Sequence, residues 1–362
     1  MNHLNKIHKS SMRNSNIELL RIVCMLFIIG GHIIKFGFKT EYDADCFLGG
    51  TDYILQHVLY SIFVIAVNVF ILISGYFSIK FQLKKLLKIE FLVLCYSLPI
   101  FAYLLFSHQG ITHAVSYLFP TLSSEYWFVS TYMVLCITAP LLNKLTDSLD
   151  KRQFKRLLII STSLFYIWAT FCYVLNFRQL QADFGGGIVN FSILYLIGRY
   201  IKIHYKSKNN PSAYFLQFFT CIAIMNILEI IYSKLLGFPF TAFQNLNSIF
   251  IVMASIIFFL AFQRMNFHNK LVNKLAMHSF SVYIIHFNKA VMPLISALSL
   301  YLKTQLNTPI WLILLIIPCA IYLVSITIEH CRAILLSNIE EYICTNTTKI
   351  ILKVGSINYH RI

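Results

Sequence analysis

Charge is scarce in this chain. Only 12% of its 362 residues are Asp, Glu, Lys or Arg, against about 25% in a typical soluble domain. Acidic residues are the scarcest part, 14 against 30 Lys and Arg, which leaves a formal net charge of +16. Hydrophobic residues make up 58%. That balance excludes a soluble enzyme, a disordered chain and a collagen. Nucleic acid is not an expected partner either, because the basic residues are scattered among Leu, Ile and Phe rather than gathered on a polar surface. The nine Cys contain no CxxC and no metal-type spacing, and Cys46 alone falls in an expected outward loop, so neither a disulfide framework nor a metal site is expected. No phosphate-cradling glycine loop is present. Gly185-Gly186-Gly187 lacks the Lys-Ser/Thr that would follow in one, and reads as a turn. There is no internal repeat and no glycine-interrupted pair of apolar segments of the kind many transporters carry.

What the chain has is long apolar runs. A spanning helix needs about 20 mostly apolar residues, and ten such runs can be read: Ile17–Phe38, Tyr53–Ile79, Leu86–Ser107, Leu122–Lys144, Phe154–Asn176, Gly187–Ile203, Ser212–Leu236, Asn245–Gln263, Met277–Leu302 and Pro309–Leu336. The expectation is an all-α polytopic membrane protein of about ten helices. A transmembrane β-barrel is excluded, since its strands would be short and alternating. The first run is too long for a signal-peptide core and no small-x-small cleavage site follows it, so it is read as retained.

Basic residues set the orientation. Lys6, Lys9, Arg13, the Lys80–Lys88 stretch, the group from Lys144 to Arg156, the group from Arg199 to Lys208, then Arg264, Lys270, Lys274, Arg332, Lys349, Lys353 and Arg361 place 23 of the 30 on one side. The first loop on the other side is acidic, with Glu41, Asp43, Asp45 and Asp52. Both termini are therefore expected in the cytoplasm. Residues 1–16 form a basic tail, 17–336 the membrane domain and 337–362 a second cytoplasmic tail.

Ionisable groups inside a span are costly and are functional candidates by default. Glu18, Arg21 and His32 lie in the first run. Eleven residues at ~100° each make three turns plus ~20°, so Arg21 and His32 project from nearly one face, ~16 Å apart along the axis. Glu18 is three residues from Arg21, within pairing distance on the same face. One stripe thus carries a carboxylate and a guanidinium near one edge and an imidazole, able to move protons near neutral pH, further along.

Arg21-x10-His32, in NIELLRIVCMLFIIGGH, resembles the first-helix signature of the acyltransferase 3 family, integral membrane O-acyltransferases of bacterial surface polysaccharides. Three further segments resemble the family's in order: NVFILISGYF from Asn68 to Phe77, EYWFVSTYMVLCITAPLLN from Glu125 to Asn143, and FSVYIIHF from Phe280 to Phe287. One stretch departs: many members follow the Ser-Gly-Phe/Tyr segment with arginines, whereas this chain has KFQLKKLLK, which keeps the charge and loses the bidentate fork. The chain ends about 25 residues after its last run, which leaves no room for the hydrolase-like domain that some members add.

The resemblance implies transfer of an acyl group, most simply acetyl, from cytoplasmic acyl-CoA to a hydroxyl of a surface polysaccharide or lipid-linked oligosaccharide. The setting would be the bacterial plasma membrane. His32 is the expected proton acceptor or acyl carrier, with Arg21 and Glu18 beside it. Lys84, Lys85, Lys88 and Arg199 are candidates to hold the phosphates of acetyl-CoA, a substrate rather than a resident cofactor. Tyr126 and Trp127 are candidates to stack on sugar, or belong to an interfacial aromatic belt. Ser74 lacks an assignable base, and with Gly75 reads equally as a close-packing point. Tyr283 and His286 are secondary candidates, a structural hydrogen bond being the other reading of His286. Lys289 is placed to meet a headgroup. A polysaccharide polymerase or flippase, and a proton-coupled transporter, are the rival classes; the short outward loops weigh against the first.

Overall fold

The computed structural model describes residues 14–38, 51–106, 111–180, 183–206 and 209–359. Lys6, Lys9, Arg13, the acidic loop from Glu41 to Asp45, Cys46, Lys208 and Arg361 lie outside them. Among the described residues the chain is helical, with no strand. Seven helical segments are long and apolar enough to cross a membrane: Ser15–Phe38, Asp52–Phe77, Leu83–Phe106, Trp127–Ser148, Lys151–Leu175, Pro211–Leu236 and Ile310–Val354. Each coincides with an expected run.

The other three expected crossings differ in length or continuity. The sixth and eighth are shorter helices, Ile188–His204 and Ile249–Gln263. The ninth, read from sequence as one run, is broken into Ser279–His286 and Met292–Thr304. Apolar residues on both sides of Asn288 and Lys289 keep the run hydrophobic on average, which hides the break from a hydropathy reading. Its causes are Asn288, whose side chain caps the turn by accepting from Ala290 N at 2.9 Å, and Pro293, which suits the first turn of a new helix. The last helix runs on to Tyr359, past the expected end of the membrane domain at Leu336.

Helices that carry the argument are α1 (Ser15–His32), α2 (Thr51–Phe63), α3 (Ile65–Phe77), α4 (Leu83–Phe106) and α5 (Ile111–Leu118). They are followed by α6 (Trp127–Ser148), α7 (Lys151–Thr162), α8 (Trp168–Leu175), α9 (Ile188–His204), α10 (Pro211–Leu236) and α11 (Ile249–Gln263). The last four are α12 (Lys270–Leu275), α13 (Ser279–His286), α14 (Met292–Thr304) and α15 (Ile310–Tyr359). Helix α1 passes directly into a π-helical turn, Ile33–Phe38. His32 is thus the last α-helical residue before a change of register, a feature that recurs at functional sites.

Two glycines bring α3 and α9 together. A Cβ on Gly75 would sit 2.1 Å from Tyr195 O, and one on Gly198 would sit 2.4 Å from Leu72 O. Backbones can approach this closely only where side chains are absent, the usual way of packing helices in lipid. Just beyond, Asn143 of α6 donates to Ile79 O at 3.0 Å and accepts from Tyr195 Oη at 2.7 Å and Ser78 Oγ at 3.2 Å. The exits of two segments that carry the resemblance are stitched to each other there.

One end of the bundle gathers several basic stretches. Lys202 sits 4.7 Å from the ring centre of Tyr76, Gln263 donates to Tyr76 Oη at 3.3 Å, and Asn16 donates to Phe262 O at 3.0 Å. The start of α1 and the exits of α3, α9 and α11 therefore meet.

Replacing Gly75 or Gly198 by Ala drives a methyl into facing backbone, and overpacking of that kind costs about 1–3 kcal/mol. The expected outcome is a lower melting temperature in detergent and less monodisperse protein for either variant, read by thermal-shift and size-exclusion measurements. Unchanged melting of both would contradict the close approach.

Candidate active site

The site is built where α1 ends and α13 breaks. His32 Nδ1 lies 3.0 Å from His286 Nε2, and His286 Nδ1 lies 2.6 Å from Val282 O. A carbonyl oxygen only accepts, so His286 Nδ1 carries the proton, and in the neutral ring its Nε2 is the acceptor. His32 must then donate from Nδ1, which leaves His32 Nε2 with a free lone pair. This relay fixes the tautomer without a carboxylate. His286 is fully buried, and Phe287 packs on the His32 ring at 4.7 Å between centroids. Among the described residues His32 Nε2 has no protein hydrogen bond.

Two cavities share His32 and Trp127 in their walls. One, of about 380 Å³, extends from His32 toward the basic end and is lined by Arg21, Ser74, Trp127, Tyr132 and Tyr283. It shares Ile89 and Tyr132 with a cavity of about 400 Å³ whose wall includes Lys80, Gln82 and Lys85. The other, of about 530 Å³, extends the opposite way and is lined by Lys35, Asp183, Gln244 and Asn245 together with aromatic rings. A neighbouring cavity of about 800 Å³, mostly apolar, shares Phe36, Ser124, Trp127 and Phe287 with it. His32 stands between an approach with Arg21, Lys80 and Lys85 in its walls and a larger chamber of amides, Asp183, Lys35 and aromatic faces.

The stripe expected on α1 is present. Arg21 Nη1 lies 3.1 Å from Glu18 Oε1, Glu18 is buried, and Arg21 turns into the 380 Å³ cavity. Ser74 lines the same cavity, but its hydroxyl donates to Phe70 O at 2.9 Å and approaches Tyr132 Oη at 3.4 Å. Among the described residues no histidine or carboxylate is bonded to it. Trp127 borders three of the cavities. Tyr126 points away from them and is buried, with Asn288 Nδ2 3.4 Å from its hydroxyl. Tyr283 lies in the wall near Trp127, and His286 behind His32.

The basic candidates separate. Lys85 reaches the 400 Å³ cavity, joined by Lys80. Lys84 and Lys88, four residues apart on the other face of α4, pair with α15: Lys84 with Glu341, and Lys88 with Glu341 at 2.9 Å and Glu340 at 3.7 Å. Arg199 pairs with Asp147 at 3.2 Å. The structure does not bring these three to the cavity. Lys289, read from sequence as a headgroup contact, is bonded to Glu125 at 2.8 Å and ties the break after α13 to the entrance of α6. Among the described residues no three His, Cys, Asp or Glu side chains gather as metal ligands.

A second buried ionisable pair, not picked out from the sequence above, stands beside the 530 Å³ chamber. His57 Nε2 of α2 lies 2.9 Å from Glu229 Oε2 of α10. Both carry the signal that singles out Arg21 and His32, an ionisable group inside an apolar run.

Burial works against the charge of Glu125, yet the Lys289 ammonium and the Ser116 hydroxyl outweigh it and hold the carboxyl below its usual range. A carboxyl whose folded-state pKa is depressed contributes stability above its unfolded pKa and loses it as pH falls through the folded value. The melting-temperature difference between the unaltered chain and Glu125→Gln should therefore be present at pH 7 and shrink on acidification below the ordinary carboxylate range. A difference independent of pH would contradict the ion pair.

Comparison with known proteins adds one finding. A family model described as an acyltransferase domain (Acyl_transf_3) matches residues 14–329, a stretch that contains all four of the segments above and every residue of the His32 site. No curated protein and no solved structure matches.

Proposed function

The chain belongs to the acyltransferase family matched over residues 14–329, and from that premise we propose that it moves an acyl group, acetyl in the first instance, from cytoplasmic acyl-CoA to a hydroxyl of a cell-surface or lipid-linked glycan. It would do so as a ten-pass protein of the bacterial plasma membrane with both termini cytoplasmic. The observation that carries this reading is the place of His32, in the wall shared by two cavities that lead to opposite ends of the bundle.

The basic approach suits the donor. Lys80 and Lys85 stand where the phosphates of an acyl-CoA would rest, and the mostly apolar cavity beyond them suits the thioester arm, with Arg21 in its wall. The opposite chamber suits a sugar. Aromatic faces such as Trp127 supply stacking surface, and Asp183, Gln244 and Asn245 supply hydrogen-bonding partners.

In the reaction, His32 Nε2 takes the proton of the acceptor hydroxyl while the oxygen attacks the thioester carbonyl. The C–S bond then breaks, and the departing thiolate recovers the proton from His32. The imidazolium formed in between is stabilised by the relay, since His32 Nδ1–H keeps its acceptor in His286 throughout. The same free lone pair would attack the thioester in a covalent variant, which a labelled acyl group retained on the protein without acceptor would reveal. A flippase or polymerase reading gives no reason for acyl-transferase family membership.

Purified protein supplied with labelled acetyl-CoA and glycan should transfer label. His32→Ala should lower kcat by about 10²- to 10⁴-fold with folding intact. His286→Leu should lower it by about 10²-fold, as when a catalytic histidine loses the partner that fixes its tautomer, and His286→Gln, which keeps an acceptor oxygen, by less. Full transfer by His32→Ala protein would overturn the mechanism.

A further inference from the structure

Gln244 stands in the wall of the acceptor chamber, and the polar cluster buried behind it takes no part in the mechanism above. Glu229 is fully buried (0% exposed) in an apolar helix. Its Oε1 accepts from Phe243 N at 2.8 Å and its Oε2 lies 2.9 Å from His57 Nε2. Ser61 Oγ lies 2.9 Å from His57 O and 3.1 Å from Asn226 Oδ1. These groups converge on Gln244. The amide nitrogen of Gln244 is 2.9 Å from Ser61 Oγ, 3.2 Å from Glu229 Oε2 and 3.2 Å from each ring nitrogen of His57.

This surrounding decides which way the amide faces. A carboxylate offers only lone pairs, so the NH₂ group must lie on the Glu229 side and the carbonyl oxygen on the other. Gln244 is only 6% exposed; it lines the 530 Å³ chamber that His32 also lines, and a much smaller cavity beside His57 and Tyr60. Every side-chain hydrogen bond of Gln244 runs through Nε2; its Oε1 has none among the described residues. With Nε2 committed to the cluster, Oε1 is the amide's open acceptor, accessible to a donor brought by a ligand. The chamber is where that donor would come from.

We propose that Gln244 Oε1 reads the acyl acceptor, taking a hydrogen bond from a second hydroxyl of the sugar, one that is not itself acylated. The His57–Glu229 pair is a positioning device: it holds the amide by its nitrogen so that only the oxygen meets the substrate. The inference rests on the transferase reading and adds to it a specificity residue outside the segments that carry the family resemblance. Chemically, a site that offers one fixed acceptor atom discriminates against an analogue that lacks the matching hydroxyl, because the oxygen is then covered by substrate without a donor.

The test uses the full chain in detergent with labelled acetyl-CoA and a panel of methyl glycosides (gluco, galacto, manno and N-acetylglucosaminide), each with its monodeoxy derivatives. With the best parent glycoside, one deoxy position away from the site of acylation should raise the acceptor KM by about tenfold or more. Gln244→Met should raise the KM of the parent by a similar factor, and removal of that hydroxyl should then bring no further rise. The KM for acetyl-CoA should stay within about twofold, which separates a lost acceptor contact from a damaged fold. Glu229→Gln, acting only through the orientation of the amide, should raise the acceptor KM by less than Gln244→Met.

An unchanged acceptor KM in Gln244→Met would overturn the inference, as would deoxy and Gln244→Met effects that simply multiply. Should Gln244→Met fail to fold, the unaltered chain still decides: equal KM for every deoxy derivative that retains the acylated hydroxyl overturns the inference. If the unaltered chain transfers label to none of the glycosides or to extracted surface glycan, the transferase reading itself fails, and this inference with it.

Discussion

A histidine ring inside a lipid-facing bundle has no solvent to set its protonation, so a neighbour must do it. Here the neighbour is the carbonyl of Val282, which takes the proton of His286 Nδ1 at 2.6 Å. From that one bond the rest follows in order: His286 Nε2 accepts, His32 Nδ1 donates, and His32 Nε2 is bare. The break between α13 and α14 is what allows it. A continuous ninth helix would carry the chain past His32, whereas the turn at Phe287–Val291 ends α13 with His286 beside the last α-helical residue of α1. Asn288 bonds to Ala290 N and to Tyr96 O at 3.1 Å, so the opened backbone is not left unsatisfied at membrane depth.

Around this relay the bundle divides into two approaches of different chemistry. Lys80, Lys85 and Arg21 mark one; Asp183, Gln244, Asn245 and aromatic faces mark the other. Close packing and ion pairs fix the helices that frame them. Gly75 and Gly198 draw α3 and α9 into backbone contact. Glu340 and Glu341 draw one face of α4 toward α15 and leave Lys85 for the cavity.

How much of this could be read from the amino-acid sequence depends on range. The Glu18–Arg21–His32 stripe was legible because helical period is a local property, and the pair at 3.1 Å follows from three-residue spacing alone. Apolar run length located the seven long helices for the same reason. The break at Asn288 was not legible, since Ile284, Ile285, Phe287 and Val291 keep the run apolar on average across it. Nor was the partnership of His32 with His286, 254 positions away, or the capture of Lys84 and Lys88 by residues near the end of the chain. Local signals cannot tell which of several lysines meets a carboxylate from another helix. His57 and Glu229 lie between these cases: their cost inside an apolar run is visible in the sequence, and their pairing is not.

The most direct measurement is a high-resolution structure of the chain with a non-hydrolysable acyl-CoA analogue. The phosphates should lie beside Lys80 and Lys85, and the carbonyl carbon of the acyl group should come within ~3–4 Å of the space His32 Nε2 faces, as a near-attack arrangement requires. An analogue bound with its acyl end remote from His32, or in the chamber lined by Gln244 and Asp183, would contradict the division of the site into donor and acceptor sides.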